Sequence, residues 1–181
     1  MPTTVLSTDR ASMAPDVLGA DEQQDLEIDL ARFVALAVCA LSDEGVADTA
    51  EVSLLFVDEP TIASLNEQFL GKKGPTDVLS FPIDDEGAVS GRTPDSDIGG
   101  PPSKEPLDAP SEILLGDIVI CPAVAARNAV EHEVTLEAEL ELLVVHGVLH
   151  LLGWDHIIDV EAERMEDRER QILRRHSRES R

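Results

Sequence analysis

Three of the five histidines fall inside one eleven-residue stretch, HGVLHLLGWDH (146–156). His146 and His150 are four residues apart. On a helix that spacing sends both imidazoles off one face, where they can converge on a single metal ion. Gly153 stands where such a helix stops, and a glycine there permits the left-handed turn that reverses the chain. His156, six residues beyond His150, can then swing back as a third ligand. Three neutral imidazoles leave a fourth tetrahedral position open, the arrangement of a catalytic rather than a structural zinc site. Nickel, copper and iron also accept imidazole, and zinc is the first expectation. The bland alternative is three scattered histidines, but two imidazoles buried together without a metal leave polar nitrogens to satisfy.

His-x3-His-x2-Gly-x2-His is also the spacing of the metzincin peptidases, which carry a general-base glutamate directly after the first histidine. Here that position is Gly147, so the peptidase reading loses its base. Asp155 either orients a histidine or takes a proton, or it is a turn aspartate bonded to local backbone. Thr76, Asp77 and Ser80 follow a Gly-Pro turn and either face the metal cleft or serve the turn. Asp117 is an acid inside an apolar strand and needs a partner or solvent beside the irregularity expected at Gly116. Trp154 is the single tryptophan, and packing of the turn onto the core accounts for it more simply than base stacking. The arginines at 164, 168, 175 and 178 lie among acids at near-helical spacing and read as solvated i,i+4 ion pairs.

These groups need a scaffold. From Leu26 the apolar residues Leu30, Phe33, Val34, Ala37, Val38 and Leu41 recur at three- and four-residue steps, predicting a helix that ends near Gly45. EVSLLFVD (51–58) reads as a strand, Pro60 begins a second helix, and TDVLSFP (76–82) is a second strand. EILLGDIVICP (112–122) is nearly continuous in apolar residues, as for a central strand covered on both faces. Pro122 opens a helix to about His132, followed by helices over 135–152 and 160–175. Helices and strands alternate, predicting an α/β (α+β) fold with a small mixed sheet of roughly four strands. Residues 1–21 read as a polar tail or one short edge strand. A single domain spans 22–176, with a flexible acidic insertion at 83–110 and a tail at 177–181.

Composition narrows the function. The 181 residues carry a formal charge of −23, and residues 161–181 hold seven arginines against six acids, so the acidity lies in the first 160. Non-specific duplex binding draws on lysine and arginine, so DNA is not an expected partner. With 3% aromatic residues and no tyrosine, no base-stacking platform is visible. No apolar run reaches the length of a membrane span and no signal peptide is evident. Two cysteines cannot build a disulfide framework, and a reducing, cytoplasmic setting is expected.

With NEQFLGKKGPTDVLSFP (66–82), LLGDIVICP (114–122) and HGVLHLLGWDH (146–156) in view, the chain resembles the YbeY family of bacterial endoribonucleases and ribosomal RNA maturation factors. The resemblance runs from about residue 50 to 175. It implies an αβα sandwich and a zinc ion held by His146, His150 and His156. It also implies single-strand-specific hydrolysis of RNA, in 16S rRNA 3′-end maturation and in quality control of 70S ribosomes. Its implied partners are precursor 16S rRNA, the small ribosomal subunit with its proteins, and an assembly GTPase. Lys72, Lys73 and Arg127 are then candidates for contacting RNA. Many members carry an arginine five residues before the proline of PTDVLSFP, where this chain has Leu70. A lysine nearby cannot reproduce a bidentate guanidinium grip on phosphate. The rival readings are another metal-dependent hydrolase, and a ribosome-assembly binding factor whose zinc is mainly structural and whose acidic surface docks on basic ribosomal proteins.

Overall fold

The computed structural model describes residues 4–7, 14–83, 113–154 and 159–179. The strands are β1 (Thr4–Ser7), β2 (Asp16–Asp21), β3 (Ala50–Phe56), β4 (Val78–Pro82) and β5 (Ile113–Ile120), and the helices are α1 (Leu30–Asp43), α2 (Glu59–Leu70), α3 (Pro122–Glu131), α4 (Leu136–Leu151) and α5 (Asp159–Glu179). The sheet runs in the order β1-β2-β3-β5-β4. β2, β3 and β5 are parallel to one another, while β1 and β4 pair antiparallel at the two ends.

Strand periodicity distributes the core. Val52, Leu54 and Phe56 of β3 and Ile118 and Ile120 of β5 are fully buried on the face that receives α1, α4 and α5. Leu55, Leu79 and Val119 point the other way and meet Ile62 and Leu65 of α2 and Val124 of α3. Helices therefore cover both faces of a mixed sheet, the expected αβα sandwich. Among the described residues no helix is long and apolar enough to cross a membrane.

The sheet has five strands rather than roughly four, because residues 1–21 contribute both β1 and β2 instead of a tail or a single edge strand. β2 gives a weak apolar signal because its contact with α1 is made through small residues. A Cβ on Gly19 would lie 2.4 Å from Val34 Cγ2, so the missing side chain is what lets α1 settle on the sheet. Helix α5 runs to Glu179, past the expected boundary at 176, and no glycine or proline follows Gly153 to stop it. Of the insertion expected at 83–110, Ile83 still donates its N–H to Leu115 O, and the remainder lies outside the described residues.

The irregularity expected beside Asp117 is a bulge. Glu51 pairs with Leu114 but Val52 with Gly116, leaving Leu115 as the extra residue. Gly116 has φ +140°, and a Cβ there would sit 2.1 Å from the Phe81 carbonyl oxygen. Gly116→Ala therefore combines a strained backbone with overpacking and is expected to lower unfolding free energy by about 2–4 kcal/mol. Gly45→Ala, with φ +73° but open space around it, should lose only about 1 kcal/mol. Chemical denaturation of both variants tests this, and equal losses would remove the clash from the explanation.

Candidate metal centre

Helix α4 is the platform of the site. The Thr135 hydroxyl accepts from Ala138 N–H and caps its start. Its end is a left-handed turn at Gly153 (φ +84°), with Trp154 N–H donating to Leu149 O and Gly153 N–H to His150 O. Leu140, Leu143, Val144, Val145, Val148 and Leu149 are all buried, so the helix is embedded on most of its circumference. His146 and His150 emerge on the remaining strip. Their Nε2 atoms lie 3.0 Å apart, and the rings meet edge-on at 4.5 Å. His146 Nδ1 lies 2.8 Å from Oε1 of Glu169, a buried carboxylate on α5.

Both histidines open into a cleft of about 600 Å³, lined by Leu70, Asp77, the whole of β4, Gly153 and Trp154. The donor set suits a metal. Two nitrogens held at about 2.0–2.1 Å by one tetrahedral ion sit roughly 3.3 Å apart, close to the separation of the two imidazoles. Asp155 and His156 lie outside the described residues, and among the described residues no group of three or more His, Cys, Asp or Glu is placed to hold a metal.

Gly147 faces away from this cleft. A Cβ there would lie 2.6 Å from Ile118 Cγ2, so the position that carries the general base in peptidases is pressed against the sheet. Ser80 is in the cleft, its Oγ 3.4 Å from Gly147 O, a long contact that leaves the hydroxyl able to turn. Asp77 also lines the cleft, but its carboxylate is engaged. Oδ1 accepts from Val78 N–H and the Thr76 hydroxyl, and Oδ2 from Asn128 Nδ2. Thr76 and Asp77 thus tie the start of β4 to α3.

Lys72 and Lys73 are exposed on the loop after α2, which is held by Asn66 Nδ2 donating to Gly74 O. Arg127 is not brought to the cleft. It forms a two-pronged pair with Glu59 at 2.6 and 3.1 Å, which holds the Glu59 carboxyl below its ordinary pKa. Trp154 forms part of the cleft wall and donates its indole N–H to Glu44. Arg168 and Arg175 pair across to Glu44 and Asp43 at the end of α1 rather than with acids of their own helix, whereas Arg170, not among the arginines expected to do so, pairs locally with Glu166 and Asp167.

Two features escaped the sequence. Glu169 reads as one acid among many on a charged helix, and only its period with Met165 and Ile172, both buried, marks it as inward-facing. Phe69 is 56% exposed and meets Phe81 edge-on at 5.0 Å, an aromatic surface beside the cleft that composition gave no reason to expect.

Three comparisons bear on this geometry. The family model described as Endoribonuclease YbeY matches residues 19–177. A protein named Endoribonuclease YbeY from a Nocardioides species is 45% identical over 71% of this chain and 76% of its own length. Those of Salinispora tropica and Beutenbergia cavernae are 43% and 41% identical, over 79% and 83% of this chain and 82% and 91% of theirs. The solution structure of TM1509 from Thermotoga maritima superposes with a TM-score of 0.51 at 28% identity, covering 84% of this chain and 87% of that one.

At the opposite end of α4, His132 Nδ1 lies 3.0 Å from the buried carboxylate of Glu139. That hydrogen bond, with the charges of Glu139, Glu131 and Asp77, raises the His132 pKa above its ordinary 6.5. The folded state holds this proton more tightly than the unfolded chain. The added stability is complete below pH 6.5 and fades as pH rises through the folded-state value. His132→Gln should therefore be less stable than wild type near pH 5.5, with the gap shrinking by pH 9. Denaturation at both pH values measures this, and a gap that widens with pH would refute the pairing.

Proposed function

Because the chain belongs to the YbeY endoribonuclease family, we propose that it is a zinc-dependent, single-strand-specific endoribonuclease acting in 16S rRNA 3′-end maturation and in quality control of 70S ribosomes in the cytoplasm. The observation that carries the metal-dependent reading is the pair of imidazoles 3.0 Å apart at the floor of an open cleft. His146 and His150 would hold the ion, with His156 as the third ligand that the motif supplies. Zinc bound there would supply Lewis acidity and bring the pKa of water towards neutrality.

The chain's own residues then do the positioning. Ser80 offers a hydroxyl to a sugar or base edge inside the cleft. Leu70, Phe81 and Pro82 give it an apolar side, and Phe69 offers a face on which an unstacked base can lie. That combination suits single-stranded RNA, whose bases are free to splay, better than a duplex. Lys72 and Lys73 supply the nearby positive charge on a chain that is otherwise strongly acidic. The proposed partners are the precursor 16S rRNA, the small ribosomal subunit with its proteins, and an assembly GTPase.

The test is cleavage of labelled single-stranded RNA carrying a 16S 3′ precursor end. Zinc-loaded wild type should cut, and His150→Ala should be slower by about 10²-fold or more. No cutting by wild type holding stoichiometric zinc would favour the second reading, a ribosome-assembly factor with a structural zinc. The specific observation behind that reading is Leu70, which lines the cleft where many family members have arginine. Leu70 is 54% exposed, so an arginine fits without disturbing the core. Leu70→Arg should raise kcat/KM by about tenfold, the equivalent of ~1.4 kcal/mol of phosphate contact. An unchanged value would show that the substrate phosphate does not pass this point.

A further inference from the structure

Glu169 occupies a place where an apolar side chain would be expected. It shares one face of α5 with Met165 and Ile172, four residues before it and three after, which are 1% and 0% exposed, and is itself 6% exposed. A carboxylate in such a seam is costly unless something specific faces it. What faces it, from α4, is Nδ1 of His146 at 2.8 Å. We propose that Glu169 is a positioning residue for the metal centre: by accepting the Nδ1–H of His146 it fixes the tautomer and ring angle that point a bare Nε2 lone pair into the cleft. This rests on the metal reading given above.

The argument is one of hydrogen-bond inventory. A neutral imidazole carries one N–H and one lone pair, and the group bonded to one nitrogen decides the state of the other. A carboxylate can only accept, so the proton of His146 belongs on Nδ1. Its Nε2, the atom 3.0 Å from His150 Nε2, is then a lone pair available to a cation. Without Glu169 the ring is free to place its proton on Nε2, which blocks the ligand position, and to turn about its Cβ–Cγ bond. Helix α5 is therefore part of the site, although it contributes no metal ligand.

Zinc affinity of the full chain, measured by competition with a chelator, tests this with Glu169→Gln, Glu169→Ala and Glu169→Asp. Glutamine has the same shape but can bond either tautomer, so zinc should bind about 10–100-fold more weakly. Alanine should be at least as weak, and aspartate should recover part of the loss. Glu166→Gln, an exposed neighbour on the same helix, should bind as wild type does. In the metal-free protein, long-range 15N–1H correlation of the His146 ring should show the Nδ1–H tautomer in wild type and its loss in Glu169→Ala. If the Gln and Ala variants bind zinc as tightly as wild type and differ only in metal-free unfolding temperature, Glu169 serves the fold and the proposal is overturned. Wild type that takes up no zinc would overturn the metal reading itself, and the two failures are told apart before any variant is made.

Discussion

Helix α4 is apolar around most of its surface and cannot remain in contact with water, so it must be enclosed by the sheet on one side and by α1 and α5 on others. That burial governs the site. It leaves only a narrow strip of the helix open, and both imidazoles occupy it. The glycine at 147 lets the helix approach Ile118 of β5 closely, which sets how near α4 lies to the sheet. A looser helix would carry the same residues without bringing them to one point, because side chains four apart converge only when the backbone beneath them is rigid.

Enclosure by α5 also explains how the charged surface is organised. Arg168 and Arg175 reach across to Glu44 and Asp43, and Arg168 also donates to Asp43 O at the end of α1. Cations at a helix C-terminus meet both acidic side chains and unsatisfied carbonyls, which is more useful than a pair along an exposed helix face. Glu44 accepts from Trp154 as well, so the turn that follows His150 is tied to α1. The acidic composition thus coexists with a local network that holds the cleft wall.

The mouth of the cleft has an apolar side. Leu70 lines it, and Phe69 beside it stands against Phe81. Under the function proposed above, RNA is held there by stacking and by two lysines of the adjoining loop. Leu70 and Phe69 both stand on the last turn of α2.

The sequence by itself determined most of the elements and the common face of the histidine pair. Apolar spacing marks α1, α4 and the strands, proline and glycine mark the ends of α2 and α4, and the interval of four between His146 and His150 fixes their common face. These are local properties, set by backbone period and by the few residues that break it. Tertiary structure decided the rest. β2 joined the sheet because Gly19 admits α1, a contact between elements that hydropathy does not record. Arg127 was drawn to Glu59, and Asp77 to Asn128, because packing α2, β4 and α3 together placed those partners in reach. Glu169 became the neighbour of His146 only when α5 closed over α4. Their separation of 23 positions along the chain carries no information about their meeting, since hydrogen-bond partners are chosen by proximity in the folded chain and not along it.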